Sequence, residues 1–129
     1  MNAQLVTGVD FLGVPTRDLE TAVTFYGETL GLERSVYLKE RSYAEFETGN
    51  LTISVYDPTA MGLEHHTNPN ASALHVEDVV AARAELEGRG VAFATDTLDT
   101  GVCHMAFFSD PDGNAWMLHH RYAPRAANT

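Results

Sequence analysis

Two histidines on either side of a short turn are the residues of this sequence best placed to do chemistry. The turn sequence DPDG lies between two strand-like stretches. If Phe108 lies opposite Ala115 in the resulting antiparallel pair, His104 lies opposite His119. Directly opposed residues have Cβ atoms ~4.5–5.5 Å apart. The two imidazoles could therefore share one ligand.

His75 is expected on the strand beside that of His119, facing the same side. Neutral imidazoles of His75, His104 and His119 could hold a divalent transition metal. Alternatively, His104 and His119 could form an acid–base pair near neutral pH. The other interpretation is that the pair lines the polar rim of a pocket, with one imidazole hydrogen-bonded to the other. We take the pair first as a pocket marker, predict no cofactor, and keep a divalent metal as the alternative.

Composition excludes several classes of function. The 129 residues carry 18 acidic and 8 basic side chains, for a net charge of −10. Nucleic-acid binding relies on lysine and arginine, whereas a negative field favours neutral or cationic ligands. No apolar run approaches the roughly 20 residues of a membrane span, and the first residues lack a signal-peptide pattern. The single cysteine, Cys103, cannot form an internal disulfide. Together these observations predict a soluble, cytoplasmic protein that binds neither nucleic acid nor membrane.

The chain contains an internal repeat. VPTRDLETA (residues 14–22) aligns with LHVEDVVAA (residues 74–82), so that Asp18 matches Asp78. Each segment predicts a strand followed by a helix, with the aspartate as N-cap. Gly31 and Gly90 stand where a left-handed residue should end each helix. Three strands should follow each helix, at residues 34–39, 42–48 and 51–56 in the first half and 91–94, 103–108 and 114–121 in the second.

This order predicts an α+β fold, a single domain over residues 1–129 made of two βαβββ modules in tandem. The modules should span residues 8–57 and 71–122, with a linker at 58–70. We expect a curved mixed sheet around a pocket, with the helices on its convex face. By alternation, the side packed against the second helix should carry Met105, Phe107, Trp116 and Leu118.

With these motifs the sequence resembles the vicinal oxygen chelate superfamily, which contains glyoxalase I, bleomycin-resistance proteins, fosfomycin-resistance enzymes and extradiol dioxygenases. The resemblance covers about residues 8–122. It is carried by VPTRDLETAVTFY (residues 14–26), Gly31 with Leu32, and FFSDPDGN (residues 107–114). It implies the fold rather than one reaction, because function belongs to the site and not to the scaffold.

In metal-dependent members of that superfamily, four strands supply His, Gln or Glu ligands to a divalent ion, which binds two adjacent substrate oxygens. Such side chains form a hard oxygen and nitrogen shell. The resemblance carries these four positions to residues that cannot form that shell, so it predicts that the usual metal site is absent: Phe11, Ser54, Ala71 and Met117. Bleomycin-resistance proteins resemble this arrangement, since they lack the metal and sequester a cationic drug in the clefts of a dimer. A homodimer is therefore also implied.

The first hypothesis is a small-molecule-binding protein that sequesters a neutral or cationic organic ligand without a metal. Affinity for a cation should then fall as salt rises. The predicted ligand-binding residues are Phe11, Ser54, Tyr56, His75, His104, Phe108, Met117 and His119. The second hypothesis is a lyase, isomerase or dioxygenase with His104 and His119 as catalytic residues, using a divalent metal or acid–base chemistry. A structural role with an empty pocket is the third.

Overall fold

The computed structural model describes residues 3–125. The chain divides into two compact units, Met1–His66 and Thr67–Thr129. The point of division lies inside the segment predicted as a linker. Within residues 3–125, neither helix has the length and apolar character needed to cross a bilayer.

The first unit contains one α-helix and four strands. They are, in chain order, β1 (Phe11–Pro15), α1 (Leu19–Thr24), β2 (Glu33–Leu38), β3 (Tyr43–Glu47) and β4 (Thr52–Tyr56). The strand order is β1-β4-β3-β2, with β1 parallel to β4 and the other neighbours antiparallel. A π-helical turn, Phe25–Thr29, continues α1.

The second unit repeats this arrangement. Its elements are β5 (Ser72–His75), α2 (Val79–Gly88), β6 (Leu98–Asp99), β7 (Cys103–Ser109) and β8 (Ala115–Arg121). The strand order, β5-β8-β7-β6, is the same as in the first unit, again with one parallel pair. The predicted α+β class and the two βαβββ modules in tandem are therefore confirmed, each module having its own four-stranded mixed sheet.

Both helical segments are bounded by the residues predicted from local sequence, the first of them only through the π-helical turn that continues α1. The carboxylates of Asp18 and Asp78 accept the backbone N–H groups of Thr21 and Ala81 at 3.3 and 3.1 Å. These bonds satisfy donors that the first helical turn leaves unpaired. Gly31 and Gly90 have φ of +75° and +94°, values that favour glycine.

Each helix packs on the two central strands of its own sheet, α1 on β3 and β4, and α2 on β7 and β8. We call the strand face turned toward the helix the helix side, and the opposite face the open face. The helix sides carry the largest share of the buried apolar side chains, which include Ala44, Phe46, Ile53 and Val55 in the first sheet and Ala106, Phe108, Trp116 and Leu118 in the second. Alternation along each strand therefore defines which residues lie on the open faces.

One predicted strand, residues 91–94, is wrong. This segment makes only an isolated bridge between Phe93 and Phe108, and β6 follows at Leu98–Asp99. Arg83 of α2 contacts this segment. Its guanidinium stacks over the Phe93 ring at 4.8 Å and donates to the Thr97 hydroxyl at 3.2 Å. These contacts tie the segment to α2, while the Ala94 N–H still donates to the Phe107 carbonyl of β7 at 2.9 Å.

The predicted register between β7 and β8 is wrong by one residue. Phe108 lies opposite Trp116 rather than Ala115, because the Asp110 N–H donates to the Asn114 carbonyl at 3.0 Å and closes a longer loop. A slip of one residue moves a strand's side chains to the other face. Met105 and Phe107 therefore lie on the open face, not on the predicted helix side.

Candidate functional site

The open face of the first sheet carries a row of hydrogen-bonded polar groups. The Tyr43 hydroxyl donates to the Glu45 carboxylate, and the Ser54 hydroxyl donates to the Tyr43 oxygen at 3.0 Å. Ser54 lies opposite Glu45 and is 2% exposed. Burial first, and then the bond to Glu45, raises the pKa of the Tyr43 phenol. The phenol therefore stays protonated at neutral pH and holds the carboxylate in place.

Glu47 supplies a second carboxylate on this face. It accepts hydrogen bonds from the hydroxyls of Ser35 and Thr52, the latter at 2.7 Å. These bonds lower the pKa of Glu47, because they stabilise the charged form. Phe11 of β1 is the ladder partner of Thr52, and the residue is 58% exposed. An ionised carboxylate and an accessible aromatic ring thus share the face.

Tyr56 completes the aromatic part of this face. It lies opposite Tyr43 in the β3–β4 ladder. Its ring reaches over β1, where a Cβ added at Gly13 would come within 3.3 Å of it. Because Gly13 has no side chain, the Tyr56 ring has room at this position. Two phenols and one phenyl ring flank the carboxylates.

The open face of the second sheet is apolar over its centre. Met105, Phe107 and Met117 lie there, half-buried, on β7 and β8. His119 lies on the same face, opposite Met105 and in register with His75 of β5. Thioether and aromatic side chains suit contact with an organic group.

The repeat aligns the two open faces residue by residue. Gly13 matches Ala73 in the repeat, and their ladder partners are Ser54 and Met117. Ser54 and Met117 are therefore structural counterparts, as the resemblance implied.

Counterparts differ on the open faces and agree on the helix sides. On the open faces the pairs are Tyr43 with Met105, Glu45 with Phe107, and Ser54 with Met117. On the helix sides they are Ala44 with Ala106, Phe46 with Phe108, and Val55 with Leu118. The helix sides thus stay apolar in both sheets, although Ile53 is matched by Trp116, whereas the open faces differ in polarity.

The structure divides the eight predicted ligand-binding residues into two groups. Six of them lie on open faces, namely Phe11, Ser54, Tyr56, His75, Met117 and His119. Phe108 does not, because it is 3% exposed on the helix side, with its ring 5.4 Å from that of Phe93. Phe108 is a core residue, and its prediction as a pocket wall is wrong.

The predicted opposition of His104 and His119 is also wrong. His104 lies opposite His120, whereas His119 lies opposite Met105, so His104 and His119 are on different faces. His104 instead approaches the Asp99 carboxylate, with 3.5 Å between Nε2 and Oδ2. Its ring centroid is 4.8 Å from that of Tyr122. The predicted metal site of His75, His104 and His119 therefore does not have its ligands on one face.

The residues at the superfamily's four ligand positions do not fit a divalent ion. Phe11, Ala71 and Met117 offer no hard donor, and the Ser54 hydroxyl is bonded to Tyr43. A divalent ion of this kind requires several oxygen or nitrogen ligands around one point.

Two features of the site were not predicted. Tyr43 and Glu45 share a strand face in any register, but only the bond to Ser54 shows that this is the open face. The second feature is a group of possible metal ligands, His75, Glu77 and His120. Its first two members are visible in sequence as a His-x-Glu pair, and the third comes from β8.

Raising the pH should test the Tyr43 network. Because folding raises the pKa of the Tyr43 phenol, the protonated phenol adds to the free energy of unfolding. This contribution is complete below the ordinary pKa of ~10 and is lost as the pH rises through the raised pKa. Replacing Glu45 by glutamine should lower the pKa of Tyr43, measured by tyrosinate absorbance. Because the pKa of Tyr122 is raised as well, by Asp99, the Tyr43→Phe variant should be used to identify the signal. An unchanged titration in Glu45→Gln would contradict the network.

Comparisons with known proteins agree with the fold and the repeat. Residues 8–118 match the family model described as the Glyoxalase/Bleomycin resistance protein/Dioxygenase superfamily. Comparison with curated proteins gave no significant match.

Several solved structures are similar over nearly their whole length. An antibiotic binding protein, TnmS3, from Streptomyces sp. CB03234 is 27% identical with a TM-score of 0.76, covering 92% of this chain and 99% of that one. A glyoxalase/bleomycin resistance protein from the same organism is 28% identical, with a TM-score of 0.71 and coverage of 88% and 100%. A lactoylglutathione lyase from Agrobacterium tumefaciens, 17% identical with a TM-score of 0.75, covers 90% and 95% and shows the fold alone.

The family match, over residues 8–118, spans both βαβββ modules. The chain belongs to the glyoxalase/bleomycin resistance protein/dioxygenase superfamily.

Proposed function

We propose that this protein binds a neutral or cationic organic molecule without the help of a metal. The observation that carries the proposal is the open face of the first sheet. There the Glu45 carboxylate is fixed by Tyr43, while the superfamily's metal position on β4 is the buried hydroxyl of Ser54. The face therefore offers acceptors that neighbouring side chains hold in place, and the superfamily's ligand position on β4 lies beneath them as a bonded hydroxyl.

The chemistry of this face suits an aromatic or aliphatic cation. An ammonium group can approach the carboxylates of Glu45 and Glu47 while lying against an aromatic ring, which attracts it through the ring quadrupole. The net charge of −10 also attracts a cation at long range. The similarity to an antibiotic binding protein, at 27% identity, supports a drug-like ligand.

The experiment is a binding screen on protein stripped with a chelator and carrying no histidine tag. Calorimetry with a panel of cationic and neutral aromatic antibiotics should find a ligand whose affinity is unchanged by the chelator. For a cation, Glu45→Gln should weaken binding about tenfold, since hydrogen bonds to charged groups contribute ~1.5–3 kcal/mol. Binding should also weaken as salt is added.

Glu40→Gln is the matched control, because Glu40 is an exposed glutamate in the turn Lys39–Arg41. It changes the net charge equally and should leave affinity nearly unchanged. Ligand binding that disappears with the chelator, or equal losses in both variants, would refute the proposal.

An enzyme that uses His104 and His119 as a joint acid–base pair is disfavoured by the register. The two imidazoles lie on different faces of the second sheet, and a shared substrate atom must lie within hydrogen-bond reach of both. In line with the family resemblance we further propose a cytoplasmic homodimer, for which light scattering should give twice the 14.1 kDa chain mass.

A further inference from the structure

Three possible metal ligands lie close together in the second unit, where the end of β5 adjoins β8. His75 ends β5, Glu77 follows it before α2, and His120 lies on β8. One ligand atom from each lies within 4.8 Å of the other two. The His75 and His120 ring centroids are 5.7 Å apart.

The hydrogen bonds of His120 fix which of its nitrogens is free. Its Nδ1 is 3.1 Å from the carbonyl oxygen of Val76. Because a carbonyl only accepts, Nδ1 must carry the proton, and in the neutral ring Nε2 then presents a bare lone pair. Such a bond from the second ring nitrogen to a backbone carbonyl is the usual support of a metal-ligating histidine.

The other two ligands are already paired. Nε2 of His75 is 3.1 Å from Oε1 of Glu77. The side chains are 66% and 89% exposed, so an ion can reach them from solvent.

We propose that His75, Glu77 and His120 form a binding site for a divalent transition metal. Two imidazoles and one carboxylate form a donor set suited to Zn²⁺ and its neighbours, and three protein ligands leave a coordination position for water. The site lies apart from the superfamily's ligand positions, and it shares only His75 with the site predicted from sequence. Its occupation would tie the connection between β5 and α2 to β8.

The test uses the whole chain, stripped of metal and without a histidine tag, titrated with Co²⁺ or Zn²⁺ alone. We expect one ion per chain, with visible Co²⁺ absorption that shows nitrogen and oxygen ligation. His75→Ala and His120→Ala should each weaken binding at least tenfold, and Glu77→Gln should weaken it less. Histidine NMR signals should shift at His75 and His120 when Zn²⁺ is added, which gives a second measurement on unaltered protein.

The chain offers close controls. His66 forms an exposed pair with Glu64 at 3.2 Å, and within residues 3–125 no third possible ligand joins this pair, so His66→Ala should bind as wild type does. His119→Ala and His104→Ala should also leave affinity unchanged. The proposal is overturned if wild-type protein binds neither ion, or if the His104 and His119 variants lose binding while the His75 and His120 variants keep it.

Discussion

Replacing Phe46 by alanine is expected to lower the free energy of unfolding by ~3–5 kcal/mol. Phe46 is fully buried on the helix side of β3. Its ring centroid is 5.8 Å from that of Tyr26, which is also fully buried. A Cβ added at Gly27 would lie 3.4 Å from the Phe46 ring, so the π-helical turn also packs closely against it. Little room remains for these neighbours to collapse into the cavity.

Phe11→Ala provides the matched comparison, because this substitution removes the same ring from a position that is 58% exposed. Its effect should stay within about 0.5 kcal/mol, as for most surface substitutions. Urea denaturation followed by circular dichroism measures both variants. Similar losses in the two would show that the helix side is not the core of the first unit.

Replacing Asp110 by alanine should lower the free energy of unfolding by about 3 kcal/mol, because it removes the charged acceptor of three hydrogen bonds, two of them buried. Its carboxylate accepts the backbone N–H groups of Asp112 and Asn114 at 3.0 and 2.8 Å, and the Asn114 side-chain amide at 2.8 Å. The Asn114 amide oxygen in turn accepts the Asn68 N–H at 2.9 Å. The substitution therefore loosens both the β7–β8 turn and the start of the second unit.

Asp96→Ala is the control for this variant, since Asp96 is an exposed aspartate. It should change the free energy of unfolding by less than about 0.5 kcal/mol. Thermal and urea unfolding should be measured for both variants. A mild effect of Asp110→Ala would mean that water replaces the carboxylate at this turn.

The parts of the fold that could be predicted are those encoded by neighbouring residues. Asp18 and Asp78 bond to backbone groups three residues ahead, and Gly31 and Gly90 adopt a conformation that favours glycine. Such signals need no distant contact. Together with the repeat they were enough to predict two βαβββ modules and their order.

The site was harder to predict because it depends on contacts between distant segments. The register of β7 and β8 follows from the loop that Asp110 and Asn114 close, and it alone decides that His104 and Phe108 lie on the helix side. Similarly, residues 91–94 pair with β7 only through the bridge between Phe93 and Phe108, and no local signal distinguishes such a bridge from a strand. His120 joins His75 and Glu77 through a bond to the backbone of Val76, and that bond has no signature in sequence.

The agreement of the helix sides and the divergence of the open faces describe how this scaffold can evolve. Ala44 and Phe46, with their counterparts Ala106 and Phe108, are restrained by packing, where a change of volume is costly. Tyr43 and Glu45, or Met105 and Phe107 in the other module, face no helix and can change with less cost to the fold. Each copy of a duplicated module could thus acquire its own chemistry while keeping its stability. A mutational library restricted to the open faces should therefore yield folded variants with altered ligand preference far more often than one that includes the helix sides.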